Sequence, residues 1–375
     1  MKFQIQSKTL QQQLNAVSKV ISGKNALAIL DNFLFQLDGS TLSVTGSDQE
    51  NVMRACFTVE SSEGEGSVAL PAKRILDILK EVPEQLLTIY INDQTKEIDI
   101  RFSNGHFNFM GVDGSEYPLK QIQDGEQVEL SVPASVLVSG IENTIFAVSP
   151  ETIRPIMTGI CWDIKEDCII FVASDSHKLV KYTNSEVHPG FERQFVLPQK
   201  PSAILKGILA KEEGDVKILI DDKSAVFEYG EYSLACRFIK GDYPRYERVI
   251  PQDNPFELTI DRVSLLNAMR RVALLANMAS NLVRFNIQHN ELLLSSQDLD
   301  YSTSAEERMV CGYSGNPMTI GFQAGFMIEI LSNLKGDTVV CKLSDPSRAG
   351  IFMPEVQAEN ENVLMLLMPM QVLDY

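Results

Sequence analysis

Neither GxGxxG nor a Walker A loop occurs in this chain, and HExxH and GxSxG are missing as well. Nucleotide-dependent, zinc-peptidase and serine-hydrolase chemistry therefore have no footing in the sequence. Histidine is scarce: His106, His177, His188 and His289 are the only four, and they sit in unrelated contexts. Six cysteines, Cys56, Cys161, Cys168, Cys236, Cys311 and Cys341, are scattered without a CxxC pair. They read as buried free thiols of a reducing cytosol, not as a disulfide frame or a zinc site. No stretch approaches the roughly 20 apolar residues of a membrane span. The start MKFQIQSKTL has no apolar run behind its basic residue, so neither a secretory signal nor a membrane partner is expected. Trp162 is the single tryptophan, and we assign it to a core. Ser174-Asp175-Ser176-His177 imitates a catalytic triad, but neighbours in one turn seldom converge as nucleophile, base and orienter. Asp48, Asp175 and Asp298 each follow a strand-like run. Turn-forming hydrogen bonds are their expected use, ahead of a metal or paired-carboxylate site. We expect no catalytic residue, no metal and no cofactor.

What is present is repetition. Phe3 and Ile5 alternate before Leu10, Leu14 and Val17 take helical spacing. Leu130 and Val132 precede Leu137 and Ile141, and Leu258 and Ile260 precede Leu265, Met269 and Val272. Period two gives way to period 3.6 at the same place each time, at offsets of 127 and 128 residues. Val68-Ala69-Leu70-Pro71-Ala72-Lys73 returns as Phe195-Val196-Leu197-Pro198-Gln199-Lys200, and Gly114-Ser115-Glu116-Tyr117-Pro118 as Gly241-Asp242-Tyr243-Pro244. Ordered matches at near-constant offset identify three copies, placed at 1–125, 126–252 and 253–375. Each copy doubles a strand–helix–three-strand pattern, which predicts an α+β domain made of two βαβββ units, with two helices covering one sheet face.

The net charge of −17 opposes a nucleic-acid partner when taken whole. Its distribution does not. The windows 1–30, 193–211 and 262–290 hold twelve Lys and Arg and no acid, so the remainder carries −29. These windows contain predicted helices, and a helix with one face on a sheet turns the other outward. A neutral-to-basic helical face on an otherwise acidic molecule suits loose, sequence-blind contact with a polyanion.

Several stretches resemble the bacterial replicative sliding clamp, the β subunit of DNA polymerase III. They are the initial MKF, Leu30-Asp31-Asn32-Phe33-Leu34-Phe35, Val172-Ala173-Ser174-Asp175-Ser176-His177-Lys178-Leu179, Gly241-Asp242-Tyr243-Pro244-Arg245-Tyr246-Glu247-Arg248-Val249-Ile250-Pro251 and Met368-Pro369-Met370. The resemblance runs from residue 1 to about 372. It implies three tandem DNA-clamp domains forming half of a closed ring, a head-to-tail homodimer around double-stranded DNA, and a non-catalytic processivity factor in the cytoplasm at the nucleoid. It implies DNA-facing roles for Lys24, Lys73, Arg74, Arg154, Lys200 and Arg237. It implies a pocket that takes a short peptide from the replicative polymerase, the clamp loader and repair proteins. That pocket comprises Met157, Ser174, Ser176, His177, Lys178, Leu179, Pro244, Arg248, Val249, Leu366, Met368, Pro369 and Met370. On this basis a charge at Met370 should abolish peptide binding. Phe107, Leu274 and Leu275 are the implied apolar dimer contacts, with Asp298, Asp300, Glu306 and Glu307 facing basic groups across the seam, Arg101 among them. The competing readings are an acidic repeat scaffold that binds only proteins and a hydrolase that uses the repeated aspartates with a metal.

Overall fold

The computed structural model describes residues 1–23, 25–119 and 125–372. Among the described residues six α-helices carry the architecture: α1 (Ser7–Ser18), α2 (Ala72–Glu81), α3 (Ala134–Thr144), α4 (Gln199–Leu209), α5 (Arg262–Ala273) and α6 (Ala324–Asn333). A strand runs directly into each helix, and three long strands follow each one, joined after α1, α2 and α5 by a further strand of two or three residues, so the doubled βαβββ pattern is present three times. The switch from strand to helix follows from the side chains. In Lys2–Gln6, Phe3 and Ile5 alternate inward; in α1, Leu10, Leu14 and Val17 share one buried stripe. Pro71, Pro133 and Pro198 end three of the leading strands. Proline cannot donate to a continuing ladder, yet its fixed φ suits the start of a helix. α5 and α6 are capped instead by Asp261 and Gln323, whose side chains accept from Ser264 N and Phe326 N.

The pairing differs from the one-sheet layout that the sequence predicts. A leading strand does not pair with the three strands that follow its own helix. It pairs with those of the other half of its copy: Phe3 lies opposite Ile89, and Leu70 opposite Phe33. The same exchange places Leu258 opposite Cys341 and Ile320 opposite Phe285. Each of these copies therefore builds on two sheets. In the first copy α1 and α2 pack on one another, and α1 touches strands of both sheets; α5 and α6 are likewise packed together.

Sheets also continue from copy to copy. Asn51–Thr58 pairs with Tyr232–Arg237, and Lys178–Asn184 pairs along its length with Glu361–Leu367. Each junction completes a nine-stranded sheet. The chain packs as two compact units that follow these sheets, Met1–Val138 with Lys200–Phe238, and Ser139–Gln199 with Ile239–Tyr375. In the first, Phe3, Phe33 and Phe35 are fully buried. In the second, Trp162 is fully buried against Phe171, at 4.5 Å edge to face, and Phe195, at 5.5 Å stacked. Aromatic pairs in this geometry contribute about 0.5–1.5 kcal/mol beyond burial. All six cysteines are free; Cys161, Cys236, Cys311 and Cys341 are buried, whereas Cys56 is exposed, against the expectation of uniformly buried thiols. No helix among the described residues is long and apolar enough to cross a membrane.

Buried tyrosines give the fold an alkaline limit. Burial pushes the Tyr117 phenol up to about 12 and also raises those of Tyr182, Tyr243 and Tyr246. Tyrosine in an unfolded chain ionises near 10. Between that pH and about 12 the folded chain keeps protons that the unfolded chain has lost. Stability is therefore complete below pH 10 and falls as pH rises through this window. We expect calorimetric melting temperatures to drop steeply from pH 10 to 12, each such tyrosine contributing up to about 1.4 kcal/mol per pH unit. Tyr117→Phe should flatten the profile, and an unaltered slope would exclude Tyr117 as a cause.

Candidate functional site

The strands Ile169–Ser174 and Lys178–Asn184 are joined by a tight turn in which the Asp175 and Ser174 side chains bond the turn's own backbone. Asp175 Oδ1 accepts from His177 N and Lys178 N, both at 2.9 Å. Ser174 Oγ accepts from Ser176 N at 3.2 Å and donates to Lys178 O at 2.9 Å. Ser176 takes φ +79°, a left-handed conformation that costs a non-glycine residue about 1–2 kcal/mol. Asp48 and Asp298 are used in the same way. Asp48 Oδ1 accepts from Glu50 N and Asn51 N, and Asp298 Oδ1 from Asp300 N and Tyr301 N. The three repeated aspartates thus share one turn-forming role.

Beside this turn lies a hollow of about 320 Å³. Its apolar lining comes from Met157, Leu179 and Leu366, all buried, with Val249 and Met368 at the exposed mouth. Leu179 and Leu366 are direct partners across the junction of the second and third copies. Met368 is fixed by its N–H, which donates to His177 O at 2.9 Å. Pro244, Ser174, Ser176, His177 and Lys178 complete the part that the sequence anticipates. Tyr243, Arg245 and Tyr246 also line the hollow, although the sequence reading assigned them no role in it. They belong to the same Gly241–Pro251 motif, and that motif was the signal for them. The Tyr246 hydroxyl donates to the buried Asp163 carboxylate at 2.7 Å, and Lys165 Nζ lies 3.1 Å from the same carboxylate. This anchor sets the tilt of the Tyr246 ring. Lys165 is itself raised, chiefly by its hydrogen bond to Asp163.

Arg154 belongs to this hollow too. Expected to face DNA, it lines the wall and donates from Nη1 to Ser176 Oγ at 3.2 Å. Arg248, Pro369 and Met370 lie off the wall. Arg248 is exposed, and Met370 N donates to Gly321 O at 2.8 Å, which carries the chain away toward other hollows. The lining carries Arg154, His177, Lys178 and Arg245 and no carboxylate, in a chain of net charge −17. An apolar floor with a basic mouth can hold a short, partly apolar segment of another protein.

The remaining candidate DNA residues fall into three groups. Lys24 lies outside the described residues, as do 373–375 at the end of the chain. Lys73 and Arg74 stand exposed on the first turn of α2 and have no carboxylate partner among the described residues. Lys200 and Arg237 are differently placed. The Lys200 ammonium bonds Val20 O and the Asp48 carboxylate, and Arg237 Nε lies 3.7 Å from Glu50. The Lys200 charge is largely answered within the chain, whereas Arg237 has only a long, exposed ion pair. Across the six helices nine basic residues stand against four acidic ones.

The implied seam residues also divide. Leu274 is 79% exposed and Leu275 40%, just past the end of α5. Phe107 stacks on Phe102 at 5.3 Å, in Gly105–Met110, the outermost strand of its sheet. Glu306 and Asp300 are exposed. Asp298 is only 3% exposed, and its carboxylate also accepts from Asn277 Nδ2, so within the single chain it is spent on its own turn. Glu307 is bound two-pronged by Arg271, a hydrogen bond that holds its carboxyl below the usual range. Arg101 is taken by Asp99 at 2.8 Å and lies over the Tyr90 ring. Met278 and Val310, exposed at 81% and 87%, are not among the residues singled out from the sequence. Val310 could have been found as an apolar residue at an outward position of an alternating strand.

Comparison with known proteins places this arrangement. A beta sliding clamp of Staphylococcus aureus is 28% identical over 381 residues, covering 99% of each chain. The crystal structure of the sliding clamp from Bacillus subtilis matches with a TM-score of 0.90 at 25% identity, over 100% of both chains. That of Bartonella birtlesii, solved bound to griselimycin, matches with a TM-score of 0.91 at 25% identity, over 99% of this chain and 100% of that one. Family models for the N-terminal, central and C-terminal domains of the DNA polymerase III beta subunit match residues 1–121, 131–245 and 247–371. With nearly its whole length accounted for in this way, the chain belongs to the DNA polymerase III beta subunit family, the replicative sliding clamps.

Proposed function

We propose that two copies of this chain close head to tail into a ring around duplex DNA and tether the replicative polymerase to its template, without chemistry of their own. The observation that carries this reading is a pair of open sheet edges. Gly105–Met110 and Thr303–Val310 are each the outermost strand of a sheet. Exposed strand edges with unpaired backbone groups are ordinarily blunted or covered. Here they bear exposed Met110, at 55%, and Val310, and Leu274 is exposed on the third copy as well. Joining the first copy of one protomer to the third copy of its partner would pair both edges and cover these side chains.

In this reading the helices face the DNA, Lys73 and Arg74 supply phosphate contacts, and Lys24 adds another. The hollow beside the Ser174–Leu179 turn is the docking point for short peptide segments of the polymerase, the clamp loader and repair proteins. The protein then works in the cytoplasm at the nucleoid, and its three sequence copies at 1–125, 126–252 and 253–375 are its three clamp domains. Phosphate contacts carry no base information, which suits a protein that must slide.

The test is topological. Protein loaded by a clamp loader onto a nicked circle should persist, and cutting the circle should shorten its residence at least tenfold. Residence on the linear form should fall further as salt rises, because the remaining contacts are ionic. Equal persistence on circle and line would exclude encirclement.

A further inference from the structure

Lys178 lines the hollow, yet its ammonium is spoken for. The side chain is 5% exposed. Nζ lies 2.6 Å from Asp175 Oδ2 and 2.9 Å from Glu329 Oε2, and 4.5 Å above the Phe326 ring. An ammonium has three donors and no acceptor. Two carboxylates and one aromatic face account for all three, so what Lys178 offers the hollow is its apolar stem. Phe326 and Glu329 both stand on α6, and the Phe326 ring stacks on the His177 ring at 5.2 Å and 19°. His177 O in turn receives Met368 N. One buried cation therefore joins the turn of the second copy to a helix of the third, at the place where His177 and Met368 form the wall.

We infer that Lys178 is a positioning residue of the partner pocket, not a donor to the bound peptide: through Glu329 and Phe326 it clamps the Asp175–Lys178 turn to α6 and holds the His177 wall in its binding geometry. The inference rests on reading the hollow as the partner site. It assigns Glu329, which lies outside the hollow, a share in affinity. Networks of this kind act as a unit, so their members should be non-additive when removed together.

The two possible roles of Lys178 predict opposite signs for one substitution. Glu329→Gln leaves the lysine in place and removes one of its anchors. A lysine that gripped the peptide directly would be freed, and binding would hold or tighten. A positioning lysine loses its tie to α6, and binding should weaken about fivefold. The side chain of Glu329 is 50% exposed, so this variant does not depend on tolerance of a core change. The probe is griselimycin, the ligand in the Bartonella birtlesii clamp structure, which on this reading seats in the same hollow, titrated calorimetrically into the whole chain. Lys178→Met should weaken binding about 20-fold, Lys178→Arg should restore it to within about threefold, and adding Glu329→Gln to Lys178→Met should cost less than another twofold. Rescue by arginine separates the clamp from a general loss of packing. Unchanged or tighter binding by Glu329→Gln would overturn the inference, as would additive losses in the double variant. No binding by the unaltered chain would overturn the pocket reading itself, and this inference with it.

Discussion

Met368→Lys is expected to weaken binding of griselimycin in the proposed partner pocket about 100-fold, a loss of about 2.8 kcal/mol, while the protein remains folded and dimeric. Met368 is 45% exposed at the mouth of the hollow, so in the free protein the new ammonium keeps its water. A seated ligand strips that water away, and a charge taken out of water without a partner is costly. The wall supplies none, because Arg154, His177, Lys178 and Arg245 line it and no carboxylate does. The backbone contact from Met368 N to His177 O survives the change. The comparison that gives the experiment its force is Met370→Lys. Both methionines belong to the terminal Met-Pro-Met motif, and the family resemblance implies both for the pocket, with a charge at Met370 expected to abolish peptide binding. In the structure Met370 is bonded to Gly321 and turned toward other hollows, so its substitution should change affinity by less than about threefold. Equal losses at the two positions would return Met370 to the pocket.

That difference shows where sequence reading ends. Buried alternation and helical stripes are local properties, and they disclosed the three copies, the doubled βαβββ unit and the strand-to-helix switches at Pro71 and Pro198. The partner of a strand is not a local property. Nothing in Phe3 or Ile5 specifies that they face Ile89 and Leu87 in the second half of the copy instead of the strands that come next. The exchange of leading strands was therefore invisible, and with it the sheets that run from one copy into the next. The candidate site was legible to the same depth. Ser174, His177, Leu179 and Pro244 lie in motifs that point to the hollow. What each charged group does there depends on neighbours far away in sequence. Lys178 is neutralised in part by Glu329, 151 residues further on. Lys200 is bound by Asp48, 152 residues before it. Asp298 forms the turn that its place after a strand predicts, but how far that turn buries it is visible only in the structure. Charge counted along the chain describes windows; charge available to a partner depends on pairing.

The same distinction governs the seam, where the second large effect is expected. Leu274→Asp should convert the dimer to monomer over the concentration range in which the unaltered protein is dimeric, raising the dissociation constant at least about 100-fold. Leu274 is 79% exposed in the single chain, so its replacement removes nothing from the core and the melting temperature of the monomer should hold. Full burial of a leucine side chain contributes about 1.5–3 kcal/mol. A head-to-tail ring of two copies has two identical seams, so one substitution acts twice and removes about 3–6 kcal/mol. The new carboxylate adds negative charge to a copy that already exposes Asp300 and Glu306. Sedimentation should then report a single species of 41.8 kDa, and retention on circular DNA should fall to that on linear DNA. Griselimycin affinity should not move, because Leu274 is not among the residues that line the hollow. That combination separates the two activities: a monomer that binds ligand normally but slips from circles would place processivity in the closed ring. A monomer still retained on circles would place it in the DNA contacts of a single chain, leaving the open edges at Gly105–Met110 and Thr303–Val310 without a part in it.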